Sequence, residues 1–592
     1  MVSLPHDEDT SDVPVVVASK FRELKSKINE NFKTAVGLAV VLVLLLVLLT
    51  TNTLAYAKII FQPLNDASIC PVYDVIAPAA FKLDNSSAVT IINDEKFRLQ
   101  SISKLSKAVQ VDTTVYDNQP DVDKEPETWS QFKEFHKYLK TTFPTVFALL
   151  EVDYVNTHGI VLYWKGSDSA LKPVMLTAHQ DVVPVQKDTL KDWSYPPFDG
   201  HYDGTWVYGR GSSDCKNILV AIMETLELLI DQKFKPKRGI IAAFGFDEEA
   251  SGIQGARHIS KFLEEKFGKD SIYAIVDEGS GVTKDATTGQ VIAVAATGEK
   301  GYVDINVSLT TPGGHSSVPP DHTSIGIMGE LAHLIESDPY SPILTAKNPI
   351  LGYMQCLAVN TGDKLPSLTR KAILRAGFDK FANSKLVEVL GREPLTKYLI
   401  QTSQALDLMI GGEKANALPE NVQLTVNHRI SIESSVEAVQ KVFTERVLEV
   451  AQKFDLGLEA FGKDVRSTKS KNGHFNVDFF SRSLEPAPIS PSTGSVWKYL
   501  AGVTRHVFED LVFTDLDYPI FLAPAVMPAN TDTRYYWNLT KHIYRYSPFY
   551  TEDVMHDSRI HSVNERIKAD SHLQVLAFFY EYVQAIDTAD AG

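Results

Sequence analysis

Between residues 173 and 276 the chain switches repeatedly between short, unbroken apolar runs and longer segments of helical period. The runs 173–178 (PVMLTA), 239–245 (GIIAAFG) and 272–276 (IYAIV) are too short for helices, and they predict strands buried on both faces. The segments 216–231 and 254–267 repeat apolar residues every three to four positions and predict helices. A β-α-β-α-β order of this kind implies an α/β domain with a mainly parallel sheet and right-handed crossovers. Ligands in such sheets gather beyond the carboxyl ends of the strands. After Thr297 the pattern changes to alternating strands and helices that run to about Glu485, where the turn PAPISP follows. The reading is an α+β unit over 298–485 inserted into an α/β domain made of 86–297 and 486–592.

The N-terminal pattern is of another kind. Residues 35–50 read AVGLAVVLVLLLVLLT, and apolar character continues to about Ala57, long enough for a single transmembrane helix over 35–57. A cleavable signal peptide would have a shorter apolar core and a small-residue cleavage site. Lys20, Arg22, Lys25, Lys27 and Lys33 precede the run and only Lys58 follows closely. The positive-inside bias then keeps residues 1–34 as a cytosolic tail and sends the rest to a lumenal or extracellular side, a type II anchor. Residues 58–85, with Pro63, Pro71 and Pro78 and no periodicity, read as a stalk. The sequons at Asn85, Asn306 and Asn538 agree with a lumenal side as glycosylation sites.

Composition narrows the chemistry. A formal net charge of −16 without a Lys/Arg stripe argues against nucleic acid. Cys70, Cys215 and Cys356 are the 3 cysteines, too few for a disulfide framework, with one Cys70–Cys356 bridge left open. His179, Asp181, Glu248, Glu249, Asp277 and Glu278 all follow predicted strands, and Asp214 ends the glycine-rich loop GRGSSDCKN. Each alone reads as a solvated or capping residue. Together they bring imidazole and carboxylate to one rim, a donor mixture that suits zinc. Such carboxylates packed without a cation would repel and take up protons. Cys215 reads as a small buried residue rather than a nucleophile.

The ordered segments TAHQDVVPV, WVYGRGSSDCKN, FGFDEEASG, VDEG, TPGGHSSVPP, GGEKANALPENVQLTVNHRI and HSVNE resemble the zinc exopeptidase family of aminoacylase and carboxypeptidase G. Within it they most resemble the fungal vacuolar carboxypeptidase S group, over roughly residue 85 to the C-terminus. The resemblance implies a zinc-exopeptidase catalytic domain with a mixed, mainly parallel sheet and an inserted lid and dimerisation domain. It implies two zinc ions per chain, one held by His179 and Asp277, the other by Glu249 and His561, with Asp214 bridging. Glu278 is the rival to Asp277. Glu248 would be the general base and Asp181 would orient His179. In the lid, His315 would reach the oxyanion, and Asn416 and Arg429 would hold the substrate's free carboxylate, for which the arginine fork is suited.

The expected activity is removal of the C-terminal residue of short peptides, with glycine before the bond, in a vacuolar lumen. An N-acyl amino acid hydrolase fits the same ligand set, since both substrates present a carboxylate on the leaving amine. A metal-free binding ectodomain is the reading from another class, and it should have lost ligands that this sequence keeps. A homodimer through the lid stays open.

Overall fold

The computed structural model describes residues 13–50, 53–61, 68–467 and 470–589 of the 592-residue chain. It divides into two compact units, Met1–Leu64 and Asn65–Gly592. In the first, helix Val13–Thr50 carries the apolar run with Leu38, Val40, Leu42 and Leu44 each more than half exposed, and helix Thr53–Phe61 follows. Among the described residues no helix is long and apolar enough to cross a membrane. The expected span over 35–57 includes residues 51 and 52, and the expected tail includes residues 1–12, all of which lie outside the described residues.

The larger unit is organised by an eight-stranded sheet. Its order is Glu151–Val155, Gly159–Trp164, Ile240–Gly245, Val174–His179, Ile275–Lys284, Ile543–Thr551, Val291–Glu299 and Leu522–Met527. The strands beginning at Ile240, Val174, Ile275 and Ile543 are mutually parallel, and antiparallel pairs flank them. Every residue of Val174–His179 and Ile240–Gly245 is buried, because helices cover both faces. Helices Lys216–Asp231 and Ala569–Ala585 pack one side, and Ala256–Phe267 packs the other. Each fully buried Leu, Ile or Phe there contributes about 1.5–3 kcal/mol.

One predicted strand is longer than its apolar run. Where the sequence pattern stops at Val276, the strand continues to Lys284 by pairing with Ile543–Thr551 and Val291–Glu299. Asp277 and Glu278 therefore lie inside a strand, at a point where its register against Ile543–Thr551 shifts. The supposed stalk differs too. Cys70 is buried and bonded to Cys356 at 2.06 Å, and the Ile76 N–H donates to the Gly502 carbonyl at 3.0 Å. Residues 68–85 thus pack on the body, held by contacts far away in sequence that local periodicity does not report.

A second, six-stranded sheet runs Ala405–Gly411, Asn421–Ile430, Gly301–Thr310, His474–Phe479, Gly457–Ala460 and Lys463–Arg466. Gly301–Thr310 alternates buried and half-buried residues along its length, since helices Ser324–Ser337 and Val436–Lys453 cover one face only. Between its strands, helix Pro349–Asn360 reaches back to pack on Leu522–Met527, the edge of the first sheet.

Candidate active site

The carboxyl ends of the parallel strands deliver the polar side chains. His179 is the last residue of its strand, Glu248 and Glu249 stand in the 3-10 turn Glu248–Ala250 after Ile240–Gly245, and Glu278 projects from the extended strand. Gly245 makes the turn feasible, because the Asp532 carboxylate occupies the place of a Cβ. The Asp214–Cys215 peptide bond, which is cis, precedes helix Lys216–Asp231. His561 comes from the far end of the chain and is held at φ 59°, a region that non-glycine residues enter at a cost of about 1 kcal/mol or more.

Asp214 is the centre of the arrangement. Its Oδ1 lies 3.1 Å from His179 Nε2 and its Oδ2 lies 3.1 Å from His561 Nε2. His561 Nε2 is also 3.2 Å from Glu249 Oε1, and His179 Nε2 is 3.6 Å from Glu278 Oε1. Two donor groups result, His179 with Asp214, Cys215 and Glu278, and Asp214 with Glu249 and His561; within each the ligand atoms lie within 4.8 Å of one another. A carboxylate shared between two imidazole-carboxylate sets has the donor chemistry of a two-zinc site.

Of the two rivals, Glu278 is the one whose carboxylate comes to 3.6 Å of His179 Nε2, while Asp277 Oδ2 is buried with no hydrogen-bond partner among the described residues. Asp181 stands beside His179 in two ways. The His179 Nδ1–H donates to the Asp181 backbone carbonyl at 2.9 Å, with the Asp181 Oδ1 at 3.4 Å from the same nitrogen, which leaves Nε2 facing the carboxylates. The Asp181 carboxylate, fully buried, also accepts the backbone N–H groups of Glu248 at 3.1 Å and Glu249 at 3.0 Å and fixes the turn that carries them.

Electrostatics show what the cluster lacks. Burial pushes Glu249 and Glu278 up to about 8 and Asp277 up to about 7, and it raises Glu248. Asp214 is buried as well, yet hydrogen bonds from His179 and His561 hold it below the usual carboxylate range. Hydrogen bonds to Asp214 and Glu249 push His561 up to about 10. Carboxylates raised by burial around a shared Asp214 form a donor cluster that divalent cations fit.

Two contributors escaped sequence reasoning. Glu565, fully buried, accepts the backbone N–H groups of Gly211, Ser213 and Asp214 and pairs with Arg210 at 2.6 Å, so it shapes the loop that presents Asp214. Its signal was the final acid of HSVNE, but its partners lie 351 to 355 residues earlier. Arg534, which no motif singled out, places Nη2 3.0 Å from Glu248 Oε1.

The second sheet's candidates are placed less tightly. His315 and Asn416 come together on an exposed ribbon, where Gly314–His315 pairs with Ala417–Leu418 and the Ser316 N–H donates to the Asn416 carbonyl at 3.3 Å. Among the described residues no hydrogen bond or ion pair joins either side chain to the carboxylate cluster. Arg429 does reach the catalytic half, with Nη1 3.2 Å from Asn530 Oδ1. Asn85 and Asn538 are exposed, whereas Asn306 is half-buried in a strand and bonded to Ser308 and Thr425.

The chain is similar to several known proteins. Carboxypeptidase S of Saccharomyces cerevisiae is 43% identical over 500 residues, covering 84% of this chain and 86% of that protein. N-fatty-acyl-amino acid synthase/hydrolase PM20D1 of Mus musculus is 30% identical over 500 residues, 83% of this chain and 89% of that protein. In fold, the chain is similar to the di-peptidase Dug1p of Saccharomyces cerevisiae, with a TM-score of 0.56 at 13% identity over 85% of this chain and 98% of that one. Residues 175–585 match peptidase family M20/M25/M40, and the chain belongs to that family.

Proposed function

We propose that the protein is a di-zinc metallo-carboxypeptidase that releases the C-terminal residue of short peptides, with glycine favoured before the bond. The observation that carries this reading is Asp214, with one oxygen on each of two histidines and Glu248 alongside. His179 and Glu278 would hold one ion, Glu249 and His561 the other, and Asp214 both. When bound, the ions supply a water whose pKa falls toward about 7, and they polarise the scissile carbonyl. Glu248 takes the proton and returns it to the leaving nitrogen, a role suited to a carboxylate raised by burial. Arg429 and Asn416 receive the free carboxylate, and His315 serves the developing oxyanion, from this chain or from a second copy in a dimer.

The carboxypeptidase S similarity supports the peptide substrate and a vacuolar lumen. A disulfide between Cys70 and Cys356 fits an oxidising side of a membrane, and the apolar run of residues 35–57 with its basic N-terminal flank is the sequence feature that favours a type II anchor. Asn85 and Asn538 are the accessible sequons for glycans there. The second reading, an N-acyl amino acid hydrolase, is favoured by the similarity to PM20D1. A metal-free binding ectodomain is disfavoured, since the sequence keeps every proposed ligand and the proposed base.

Zinc per chain and hydrolysis of benzyloxycarbonyl-Gly-Leu and N-oleoyl-leucine, each with and without a chelator, test these readings on the full chain. Two zinc ions with chelator-sensitive release of leucine from the peptide are expected. Release from the oleoyl substrate alone would replace the first reading by the second. No zinc and no release after metal is restored would overturn both.

A further inference from the structure

The loop at residues 529–534 stands where the two sheets meet. Glu299 ends its strand in the first sheet, and the second sheet begins at Gly301. The Glu299 carboxylate is fully buried. Its Oε1 accepts the Thr531 N–H at 3.0 Å and the Thr531 hydroxyl at 2.8 Å; its Oε2 accepts Arg545 Nη2 at 3.0 Å and the Thr533 hydroxyl at 3.2 Å. Arg545, also fully buried, joins the network by donating from Nε to Thr533 Oγ1 at 3.0 Å, with Nη1 and the Asp532 carboxylate left without hydrogen-bond partners among the described residues. The four hydrogen bonds to Glu299 tie the loop to the end of its strand, because a shift would leave that buried charge unpaired.

The two ends of this fixed loop touch different parts of the proposed reaction. At one end Asn530 Nδ2 donates to the Lys300 carbonyl at 2.6 Å, which turns Oδ1 toward Arg429 Nη1 at 3.2 Å. At the other end Arg534 donates from Nε to the Thr531 carbonyl at 2.8 Å and from Nη2 to Glu248 Oε1 at 3.0 Å. The guanidinium fork is thereby used on its own loop and on the base at once, an arrangement that a lysine could reproduce in charge but not in shape.

We propose that Asn530 and Arg534 are positioning residues mounted as one rigid piece on Glu299, the first aiming Arg429 at the substrate's free carboxylate and the second aiming Glu248 at the scissile bond. The proposal rests on the roles given above to Arg429 and Glu248. It makes the loop the ruler that sets the distance between the carboxylate seat on the second sheet and the chemistry on the first.

The two ends should separate in steady-state kinetics of the zinc-loaded full chain on benzyloxycarbonyl-Gly-Leu. Asn530→Ala is expected to raise KM about tenfold with kcat within about twofold, the loss of one hydrogen bond to a charged group used in ground-state binding. Added to Arg429→Lys, the same change should raise KM no further, since Asn530 acts through Arg429. Arg534→Met should lower kcat about tenfold or more at unchanged KM, and Arg534→Lys should fall between it and the unaltered protein. Should Asn530→Ala fail to fold, Asn530→Ser provides the same comparison, with zinc content and melting temperature as controls. Additive effects of Asn530→Ala and Arg429→Lys, or a rise in KM without loss of kcat in Arg534→Met, would overturn the proposal. An unaltered protein that turns over neither this peptide nor N-oleoyl-leucine would instead remove the functional reading, and the proposal with it.

Discussion

The rim of the first sheet and the ribbon of the second carry the two halves of the proposed reaction, and they are built in opposite ways. On the rim, His179, Asp181 and Glu565 are buried, and the Asp181 and Glu565 carboxylates accept backbone N–H groups that fix the turns bearing Glu248, Glu249 and Asp214. On the ribbon, His315 and Asn416 are exposed, and among the described residues the His315 ring has only its neighbour Ser317 for a hydrogen bond. Reacting atoms must be held within a few tenths of an ångström, and burial in a satisfied network does that. A binding surface can stay wet and be ordered by the substrate as it arrives. The difference teaches where the energy of each half resides, in the folded protein for the rim and in the complex for the ribbon.

The sharpest way to break this comparison is at the base. Glu248→Gln is expected to lower kcat by about 10²–10⁴-fold while zinc content stays as in the unaltered protein, because Asp181 holds the turn through backbone N–H groups that the substitution leaves alone. Single-turnover hydrolysis and metal analysis on the same sample check both parts. Turnover within tenfold of the original would mean that the rim is a scaffold without its chemistry.

A smaller effect separates two neighbours in sequence. Glu278→Gln should cost one bound zinc, whereas Asp277→Asn should keep both, as measured by metal analysis after gel filtration. The opposite result would return the seat to Asp277. This pair also marks how far the sequence could be read. Strand ends gave His179 and the Glu248-Glu249 turn, since a buried parallel strand announces its own carboxyl end by apolar pattern. They could not choose between 277 and 278, because the strand continues through polar residues under the control of neighbouring strands, and the choice between faces is a matter of pairing.

The same limit explains what else stayed hidden. Glu565 and Arg534 act on residues that lie hundreds of positions away, so neither period nor spacing points to them. The bond from Cys70 to Cys356, 286 residues apart, fixes a proline-rich stretch that reads locally as a free stalk. The change of pattern after Thr297 was legible because half-buried strands alternate while doubly covered ones do not. What the sequence could not supply was how far the exposed ribbon stands from the rim, since that depends on the joint at Glu299 and the fixed loop it carries.

The two sheets should differ least, but measurably, in acid. His428, fully buried among Tyr340 and Phe443 in the second sheet, is pushed down to about 4 by burial. A histidine with a folded pKa below the unfolded value near 6.5 stabilises the fold above that value and loses its contribution as pH falls toward 4. At pH 5 the loss is about 2 kcal/mol for one such group. In the catalytic half, His136 and His158, both pushed down to about 4 by burial, act in the same sense. Amide hydrogen exchange of strand Asn421–Ile430 should therefore quicken between pH 7 and pH 5, after correction for intrinsic rates. His428→Leu should remove most of that change in this strand and leave that of Val174–His179 unaltered, and an equal loss in both strands would show that the two halves share one stability after all.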